Sequence, residues 1–329
     1  MAWMKIRIGI LGYGNLGRGV ESAIRQNPDM TLAGIFTRRD PASVTPVFDD
    51  SPVYGLDRLD EFTDRVDVMI LCGGSRDDLP VQGPETAARF NIVDSFDTHA
   101  RIPEYFEQVD RAARPAGHTA LISTGWDPGV FSINRLFGEA ILPEGETHTF
   151  WGDGVSQGHS DAVRRVEGVS DAVQYTLPSA AAVERVRNGD GAGLGTRDKH
   201  TRECFVVLEE GADPDAVREA IVTMPDYFDQ YDTTVNFISA EELSQEHSGM
   251  PHGGFVLRAG LTGDGNRQLI EYQLKLDDNP GFTASVLVAY ARAVHRLSQA
   301  GEHGARTVFD IAPGLLSPRS PEELRAGLL

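Results

Sequence analysis

A glycine-rich turn near the start of the chain, GILGYGNLGRG at residues 9–19, constrains the fold more than any other feature of the sequence. The apolar run from Ile6 to Leu11 leads into it and predicts a β-strand. The polar, periodic stretch from Asn15 to Gln26 follows and predicts a helix, and Thr31 to Phe36 predicts a second strand. Together these three elements predict a βαβ unit.

The spacing of three glycines in this turn is typical of an anion-binding loop. Gly12 permits a tight turn, Gly14 has no Cβ to block a pyrophosphate, and Gly17 lets the helix and strand pack closely. The free N–H groups at the start of the helix would face the anion. A glycine pattern alone is weak evidence, but its place between a strand and a helix predicts a dinucleotide site.

Two arginines follow the second predicted strand, where an NAD site carries an acidic residue for the ribose 2′-hydroxyl. Thr37, Arg38 and Arg39 occupy this position. Guanidinium groups bind phosphate through paired hydrogen bonds, and one of them can stack on an adenine. The sequence therefore predicts NADP as the cofactor. The alternative is that both arginines are solvated loop charges.

The remainder of the first 125 residues predicts a doubly wound (Rossmann-type) α/β domain with a parallel sheet. Further buried strands and helices are expected in alternation. The expected strands are 66–72, 91–94 and 119–123, and the expected helices are 84–90 and 103–113.

From residue 126 the pattern changes to that of a second, α+β domain, which we expect to bind substrate and to extend to residue 279. CFVVLEE (204–210) and GGFVLRAGL (253–261) alternate as antiparallel strands do. HTFWGDGVSQGHSD (148–161) is rich in glycine and predicts a loop that wraps a small polar ligand. The helix expected at Thr283 to Gln299 should pack on the first domain, so residues from about 280 to 329 are assigned to that domain.

The amino-acid composition limits the classes of partner that this protein is expected to bind. The formal net charge of −19 disfavours nucleic acid and anionic lipid. Cys72 and Cys204 have no cysteine neighbour at ligand spacing, and His247 and His252 are poorly spaced for a helical metal pair, so no metal is expected. Residues Met1 to Leu11 lack a cleavage site and are not expected to be a signal peptide. With only two cysteines and no disulfide framework expected, the protein is expected to lie in the reducing cytoplasm.

Candidate polar residues stand where the predicted strands end, because open α/β sheets bind ligands at their carboxyl edge. Asp97 and Asp127 are candidates for binding a cationic group, although Asp127 lies in an Asp-Pro-Gly sequence that is also ordinary turn chemistry. Asp94 is expected to face the sheet. Cys72 is expected to be a small buried residue rather than a nucleophile.

Longer strings in both predicted domains identify a family that the chain resembles. GYGNLGRGVE, GIFTRR, STGWDPGVFSINR, HTFWGDGVSQGHSDAVRR, VQYTLPS, MPDYF, SGMPHGG and YQLKLDDNPGFTAS are similar to meso-diaminopimelate dehydrogenases. The resemblance extends from the first strand to about Pro318. It implies a homodimer that reversibly deaminates the D-centre of meso-2,6-diaminopimelate with NADP, giving L-2-amino-6-oxopimelate, ammonia and NADPH. This reaction belongs to lysine and peptidoglycan precursor metabolism.

The resemblance also implies roles for individual residues. The D-centre would be surrounded by Asp97, Trp126, Asp127, Gln157 and Gly158, with Asp97 and Asp127 as catalytic candidates. The L-centre would be held by Trp151, Thr176, Arg202, His252 and Asn279. The cofactor would contact Gly12, Tyr13, Gly14, Asn15, Leu16, Gly17, Thr37, Arg38, Arg39, Cys72, Gly73, Gly74, Ser75, Ser95, Phe96, Asp97, Thr124, Gly125, Trp126 and Asp127.

Two other functions remain open at this stage. An NADP-dependent dehydrogenase of another amino acid or of a semialdehyde would share the dinucleotide half, but the strings in the second domain count against it. A redox sensor that binds NADP without turnover is the second alternative, and it would have no clear use for paired acids in a charged pocket.

Overall fold

The computed structural model describes residues 5–329, so the first four residues of the segment considered as a signal peptide lie outside the described part. The chain forms two compact units. The first unit comprises the chain up to Ile133 together with Pro280–Leu329, and the second comprises Asn134–Asn279.

The strands of residues 5–329 are numbered in chain order. They are β1 (Ile6–Leu11), β2 (Met30–Thr37), β3 (Val53–Gly55), β4 (Val68–Leu71), β5 (Ile92–Asp94), β6 (Thr119–Leu121), β7 (Gly145–Trp151), β8 (Gly154–Val155), β9 (Val169–Pro178), β10 (His200–Leu208), β11 (Asp232–Phe237), β12 (His252–Thr262), β13 (Asn266–Leu276) and β14 (Gly304–Arg306).

The α-helices of the same residues are numbered likewise. They are α1 (Asn15–Gln26), α2 (Leu79–Ala87), α3 (Ile102–Ala116), α4 (Val130–Ile141), α5 (Gln157–Arg164), α6 (Ala180–Arg187), α7 (Thr196–Lys199), α8 (Pro214–Val222), α9 (Ala240–Glu246), α10 (Asn279–Gln299) and α11 (Pro321–Leu328). None of the helices in this part of the chain is long and apolar enough to cross a membrane.

The first unit contains a seven-stranded sheet in the order β14-β6-β5-β4-β1-β2-β3. Every neighbouring pair in this sheet is parallel. Strand β1 pairs with β2 on one side and with β4 on the other, so the strand order reverses beside β1. Ligands of open α/β sheets bind outside the carboxyl ends of the strands at such a reversal. The predicted doubly wound α/β class is therefore confirmed.

Alternating side chains divide the core of this unit between the two faces of the sheet. Along β4, Val68 and Ile70 belong to one cluster, whereas Met69 and Leu71 belong to the other. Helices α1 and α10 supply the first cluster, and α2 and α3 supply the second. This is the period-two pattern of a strand that is buried on both sides.

From Pro280 onward the long helix α10 belongs to the first unit, although it lies far along the chain. Residues Ala284 to Leu297 contribute repeatedly to the core that Ile8 and Ile10 of β1 share. The guanidinium of Arg292, 1 % exposed, donates to both carboxylate oxygens of Asp29 at 2.6 and 2.8 Å. It also donates to the carbonyl oxygen of Leu316 at 2.7 Å.

One predicted helix differs at its start. The sequence predicted a helix at 84–90, whereas α2 runs from Leu79 to Ala87 and keeps Pro84 inside it. Pro80 occupies the first turn, where a proline is well tolerated.

The second unit combines two sheets, which confirms the predicted α+β class. The three-stranded sheet β13-β12-β7 is antiparallel throughout. The four-stranded sheet has the order β11-β10-β9-β8, and β10 pairs antiparallel with β9 but parallel with β11. The expectation of purely antiparallel pairing for residues 204–210 was therefore wrong on one edge.

Candidate functional site

The glycine turn after β1 has the geometry that an anion site requires. Gly12 has a φ of 94°, a conformation that favours glycine. A Cβ on Gly17 would lie 2.5 Å from the carbonyl oxygen of Gly12, so the helix could not start this close with any other residue. A Cβ on Gly14 would meet no atom within 4 Å. The open side of the turn therefore lies at Gly14, at the amino end of α1.

The second unit contains a cavity of about 580 Å³. A different cavity, beside the glycine turn of the first unit, is lined by the residues expected to bind a dinucleotide. It measures about 330 Å³. Its lining comes from the turn and from the ends of β2 and β4, where the strand order reverses: Leu11, Gly12, Tyr13, Gly14, Phe36, Thr37, Arg38, Arg39, Leu56, Cys72, Gly73, Gly74, Asp78 and Gln82. The residues present thus fit the adenosine end of a dinucleotide.

The two arginines after β2 line this cavity and are held by different partners. Arg38 forms an ion pair with Asp78 at 2.8 Å, between Nη2 and Oδ1. Arg39 donates from its guanidinium to the main-chain oxygen of Tyr13 in the glycine turn. The carboxylate of Asp40 accepts from the amide of Ala42 and so caps the following turn. The predicted basic character of the site is therefore retained.

Two of the predicted cofactor residues have side chains in the core. The hydroxyl of Tyr13 donates to the buried carboxylate of Glu21, and burial raises the pKa of Tyr13 to about 12. Phe96 is 1 % exposed and lies 4.2 Å, ring centre to ring centre, from Tyr105. The contacts with a cofactor that the sequence analysis expected of Tyr13 and Phe96 therefore fall to their main-chain atoms.

The two acids after β5 have different surroundings. Asp94 is fully buried and accepts from the amides of Phe96 and Ser123, both at 3.0 Å, and from the hydroxyl of Tyr105 at 2.7 Å. Burial raises the pKa of Asp94. Asp97 is exposed, and its amide donates to the hydroxyl of Ser75 at 2.8 Å. This contact brings the loops after β4 and β5 together. The choice of Asp97 over Asp94 rests on this difference in exposure.

Residues after β6 form a tight loop that carries Asp127. A Cβ on Gly129 would lie 1.9 Å from the carbonyl oxygen of Gly125, so only glycine can close this loop. The ring of Trp126 is 8 % exposed and packs edge-on against Phe131 at 5.2 Å. Asp127 is half-buried at the apex. The amide of Thr124 donates to the main-chain oxygen of Asp94 at 2.9 Å, which joins this loop to the end of β5.

Cys72 is partly exposed at the cavity wall, whereas the sequence analysis expected it to be buried, and Cys204 is buried. Burial raises the pKa of Cys72 and raises that of Cys204 to about 12. Both thiols are therefore protonated near neutral pH, and neither is an activated nucleophile.

Arg202 is the central cation of the second unit. It lies on β10 opposite Thr176 of β9, is 7 % exposed, and donates to the hydroxyl of Thr176. Its Cζ lies 4.0 Å from the ring centre of Tyr231, and its Nε has no hydrogen-bond partner. Among residues 5–329, no carboxylate lies within ion-pair distance of it. Burial lowers the pKa of Arg202, so this cation lacks the compensation that buried charges usually receive.

Three histidines near Arg202 are neutral at physiological pH. Burial, reinforced by Arg202, lowers the pKa of His200 and that of His159 to about 4. Burial also lowers the pKa of His252. His200 accepts from the amide of Trp151 at 2.8 Å through Nε2 and stacks on the Trp151 ring at 5.3 Å. Nδ1 of His252 lies 2.8 Å from the amide nitrogen of Gly253 and 3.2 Å from its carbonyl oxygen.

The predicted ligand-wrapping loop is not one loop. Residues 148–151 finish β7, Gly154 and Val155 form β8, and α5 begins at Gln157. Pairing with neighbouring strands places much of this segment in β-strands despite its high glycine content. Gln157 and Gly158 nevertheless lie exposed at the start of α5, and Trp151 is 39 % exposed. The side chain of Gln157 donates to the sulfur of Met250 at 3.0 Å.

The amide of Asn279, at the start of α10, donates to the main-chain oxygen of Met250 at 3.0 Å. Within the second unit the structure thus brings Arg202 into contact with Thr176, and His200 into contact with Trp151. Gln157 and Asn279 are connected to one another through Met250.

Sequence reasoning missed several residues of these clusters. Asp78 binds Arg38 but lies in a run of charged residues that gives no distinguishing signal. Tyr231, directly before β11 and 29 positions from Arg202, places its ring against the Arg202 guanidinium. Gln174 is fully buried with both amide atoms unpartnered. Its spacing of two from Thr176 on β9 is the only sequence signal that could have found it.

Comparisons with known proteins agree with these features. Residues 125–278 match the family described as Diaminopimelic acid dehydrogenase C-terminal domain. The meso-diaminopimelate D-dehydrogenase of Lysinibacillus sphaericus is 65 % identical over 98 % of this chain and 99 % of its own length.

Two solved structures are similar over 99 % of this chain and 100 % of their own. The diaminopimelate dehydrogenase of C. glutamicum in complex with diaminopimelate is 49 % identical, with a TM-score of 0.92. An engineered D-amino acid dehydrogenase bound to NADP⁺ is 47 % identical, with a TM-score of 0.87. With identities of this size over nearly the full length, the chain belongs to the meso-diaminopimelate D-dehydrogenase family.

Proposed function

We propose that this protein catalyses the reversible oxidative deamination of the D-centre of meso-2,6-diaminopimelate. With NADP⁺ and water, the products are L-2-amino-6-oxopimelate, ammonia, NADPH and a proton. The observation that carries the proposal is the buried Arg202 cluster in a chain of this family, because an uncompensated guanidinium suits a substrate with a second carboxylate.

The first unit is assigned to cofactor binding. The main chain of residues 12–17 holds the pyrophosphate, and Thr37, Arg38 and Arg39 hold the 2′-phosphate and adenine. Main-chain groups of residues 72–75, 95–97 and 124–127 hold the nicotinamide half. When bound, NADP⁺ supplies the hydride acceptor. The open space at Gly14 and the two arginines on the cavity wall support this assignment.

Asp97 and Asp127 are assigned to the reacting D-centre, with Trp126, Gln157 and Gly158 around it. The D-carbon can release hydride only as the nitrogen lone pair forms the iminium, so its ammonium group must first lose a proton. An exposed carboxylate such as Asp97 can accept that proton directly or pass it to water. A second carboxylate at Asp127 fixes the ammonium group by charge. Water then adds to the iminium and releases ammonia.

The L-centre is assigned to Arg202, Thr176, His252, Trp151 and Asn279. Arg202 binds the distal carboxylate through charge-assisted hydrogen bonds, and the hydroxyl of Thr176 fixes the guanidinium. The imidazole of His252, kept neutral by burial that lowers its pKa, adds an uncharged hydrogen-bonding group. Holding this end orients the other, so that only a D-configured hydrogen faces the hydride acceptor.

Nicotinamide absorbance during incubation with meso-diaminopimelate tests the proposal directly. Reduction of NADP⁺ that depends on meso-diaminopimelate is the expected result. If NADP⁺ is reduced only with another amino acid or a semialdehyde, that compound is the substrate in place of meso-diaminopimelate. If the protein binds NADPH but turns over no substrate, it is a redox sensor. NAD⁺ in place of NADP⁺ serves as the cofactor control.

The second unit is assigned to substrate binding and to homodimer formation. Phe137 and Ile141 lie one helical turn apart on α4 and are 50 % and 65 % exposed, and Leu269 of β13 is 41 % exposed. Apolar side chains exposed together indicate a contact surface. Phe137→Glu should shift the mass measured by light scattering from dimer to monomer. Val81→Glu, which alters a similarly exposed residue of the first unit, should leave the dimer intact.

A cytoplasmic location completes the proposal, since two free cysteines that form no disulfide suit a reducing compartment. Fractionation of cells that produce the protein tests it, with activity expected in the soluble fraction.

A further inference from the structure

Asp78 joins the two sides of the cavity beside the glycine turn. Its Oδ1 lies 2.8 Å from Nη2 of Arg38, and its Oδ2 accepts from the amide of Gly74 at 2.9 Å. Arg38 and Gly74 belong to the loops after β2 and β4, which line opposite sides of the same cavity. One carboxylate therefore connects the loop that carries the phosphate-binding arginines to the loop on the far side of β1.

The two partners of this ion pair differ in solvent exposure. The side chain of Arg38 is 67 % exposed, whereas that of Asp78 is 21 % exposed and is fixed by Gly74 directly before α2. A long exposed arginine without a partner would sample many rotamers and lose that freedom on binding. A guanidinium has five N–H donors, so the contact with Asp78 leaves others for a ligand.

Resting on the function proposed above, we propose that Asp78 is a positioning residue that orients Arg38 for the 2′-phosphate and adenine of NADP. The preference for NADP then depends on a carboxylate after β4 as well as on the arginines after β2. Charge does not oppose this role. Asp78 and Arg38 neutralise one another, and Arg39, whose guanidinium donates to the carbonyl oxygen of Tyr13, keeps the site cationic.

If Asp78 had the opposite role, its replacement would change the affinity for NADP in the opposite direction. If Asp78 only competed with the phosphate for Arg38, removing its charge would tighten NADP binding. Asp78→Asn is the decisive variant, because the amide oxygen can still accept from Gly74 while the charge is lost. The matched control is Asp77→Asn, which removes the same charge from a neighbouring side chain that is 86 % exposed.

We expect Asp78→Asn to raise the KM for NADP⁺ by about 3- to 10-fold, the cost of ordering one long side chain, and to leave kcat within about 2-fold. Asp77→Asn should change neither constant. In an Arg38→Ala background, Asp78→Asn should have no further effect on the KM for NADP⁺, because Asp78 acts through Arg38.

Three results would overturn this role. They are a KM for NADP⁺ that falls in Asp78→Asn, an equal response to Asp77→Asn, and an undiminished effect of Asp78→Asn in the Arg38→Ala background. The affinity of the same variants for NADPH, measured by NADPH fluorescence without substrate, provides a second comparison that does not depend on turnover. A wild-type protein that binds NADPH but does not oxidise meso-diaminopimelate would refute the proposed function and leave this comparison intact.

Discussion

Replacing Arg202 with methionine should separate substrate recognition from folding. Methionine keeps a long unbranched side chain and removes the charge. The side chain of Arg202 is 7 % exposed, donates to Thr176, lies against the ring of Tyr231, and lacks a carboxylate partner among the described residues. Removing a buried charge that is poorly compensated costs little, so the free energy of unfolding should change by no more than about 1 kcal/mol.

The effect on catalysis should be far larger. A hydrogen bond to a charged group contributes about 1.5 to 3 kcal/mol, and a carboxylate left without its partner adds to the loss. Together these predict a loss of about 3 to 4 kcal/mol in transition-state binding, or about 10²- to 10³-fold in kcat/KM for meso-diaminopimelate. D-lysine lacks the distal carboxylate, so whatever slow oxidation it undergoes should barely change.

Arg258 offers a matched control, because it is also 7 % exposed and lies in the same unit. Its guanidinium donates to the main-chain oxygens of Leu142 and Pro143 and to the hydroxyl of Thr147. Arg258→Met should therefore lower the free energy of unfolding by about 2 to 4 kcal/mol, since it leaves buried acceptors unpaired.

Denaturant unfolding and steady-state kinetics on both variants decide the matter. If Arg202→Met destabilises the protein as much as Arg258→Met and lowers both activities in the same proportion, Arg202 holds the fold, and the assignment of the distal carboxylate is wrong.

Three further predictions concern the cofactor, the pH and the stereochemistry. Arg38→Ala should weaken NADPH binding by about 10- to 150-fold and leave NADH nearly unaffected, and equal losses measured by fluorescence titration would refute the assignment. His159 and His200 have pKa values lowered to about 4 from an ordinary value of about 6.5, so the unfolded chain takes up their protons first as the pH falls. Stability should therefore be complete above about pH 6.5 and fall by about 2 to 4 kcal/mol by pH 5, and denaturation curves that do not change over this range would contradict it. The LL isomer of diaminopimelate should inhibit competitively without reducing NADP⁺, and its oxidation would show that the far end does not select the D-centre.

Features encoded by neighbouring residues were predicted well. The bounds of β1 and α1 agree with the sequence analysis residue for residue, because an apolar run, a glycine turn and an amphipathic helix are local signals. The short strands β3, β8 and β14 were not predicted, since two or three residues carry no period and form strands only by pairing with neighbours.

The site residues also include some that local sequence signals identify and others that only the folded chain brings together. The glycine turn and the arginines after β2 could be found because their positions relative to a strand define their chemistry. The pairing of Arg38 with Asp78, and of Arg202 with Tyr231, joins residues that are 40 and 29 positions apart. Nothing in the local sequence distinguishes these partners from other surface acids and tyrosines, so only the folded chain identifies them.

The participation of α10 in the core of the first unit has a consequence for synthesis. The second unit is one continuous segment, whereas the first needs residues on both sides of it. During translation, Asn134–Asn279 can fold as soon as it leaves the ribosome. The sheet around β1 must wait, one apolar face uncovered and Asp29 without its guanidinium partner, until Arg292 and the rest of α10 emerge. This exposed face would be a binding site for chaperones, and a ribosome stalled shortly before α10 should hold a folded second unit attached to an unfinished first.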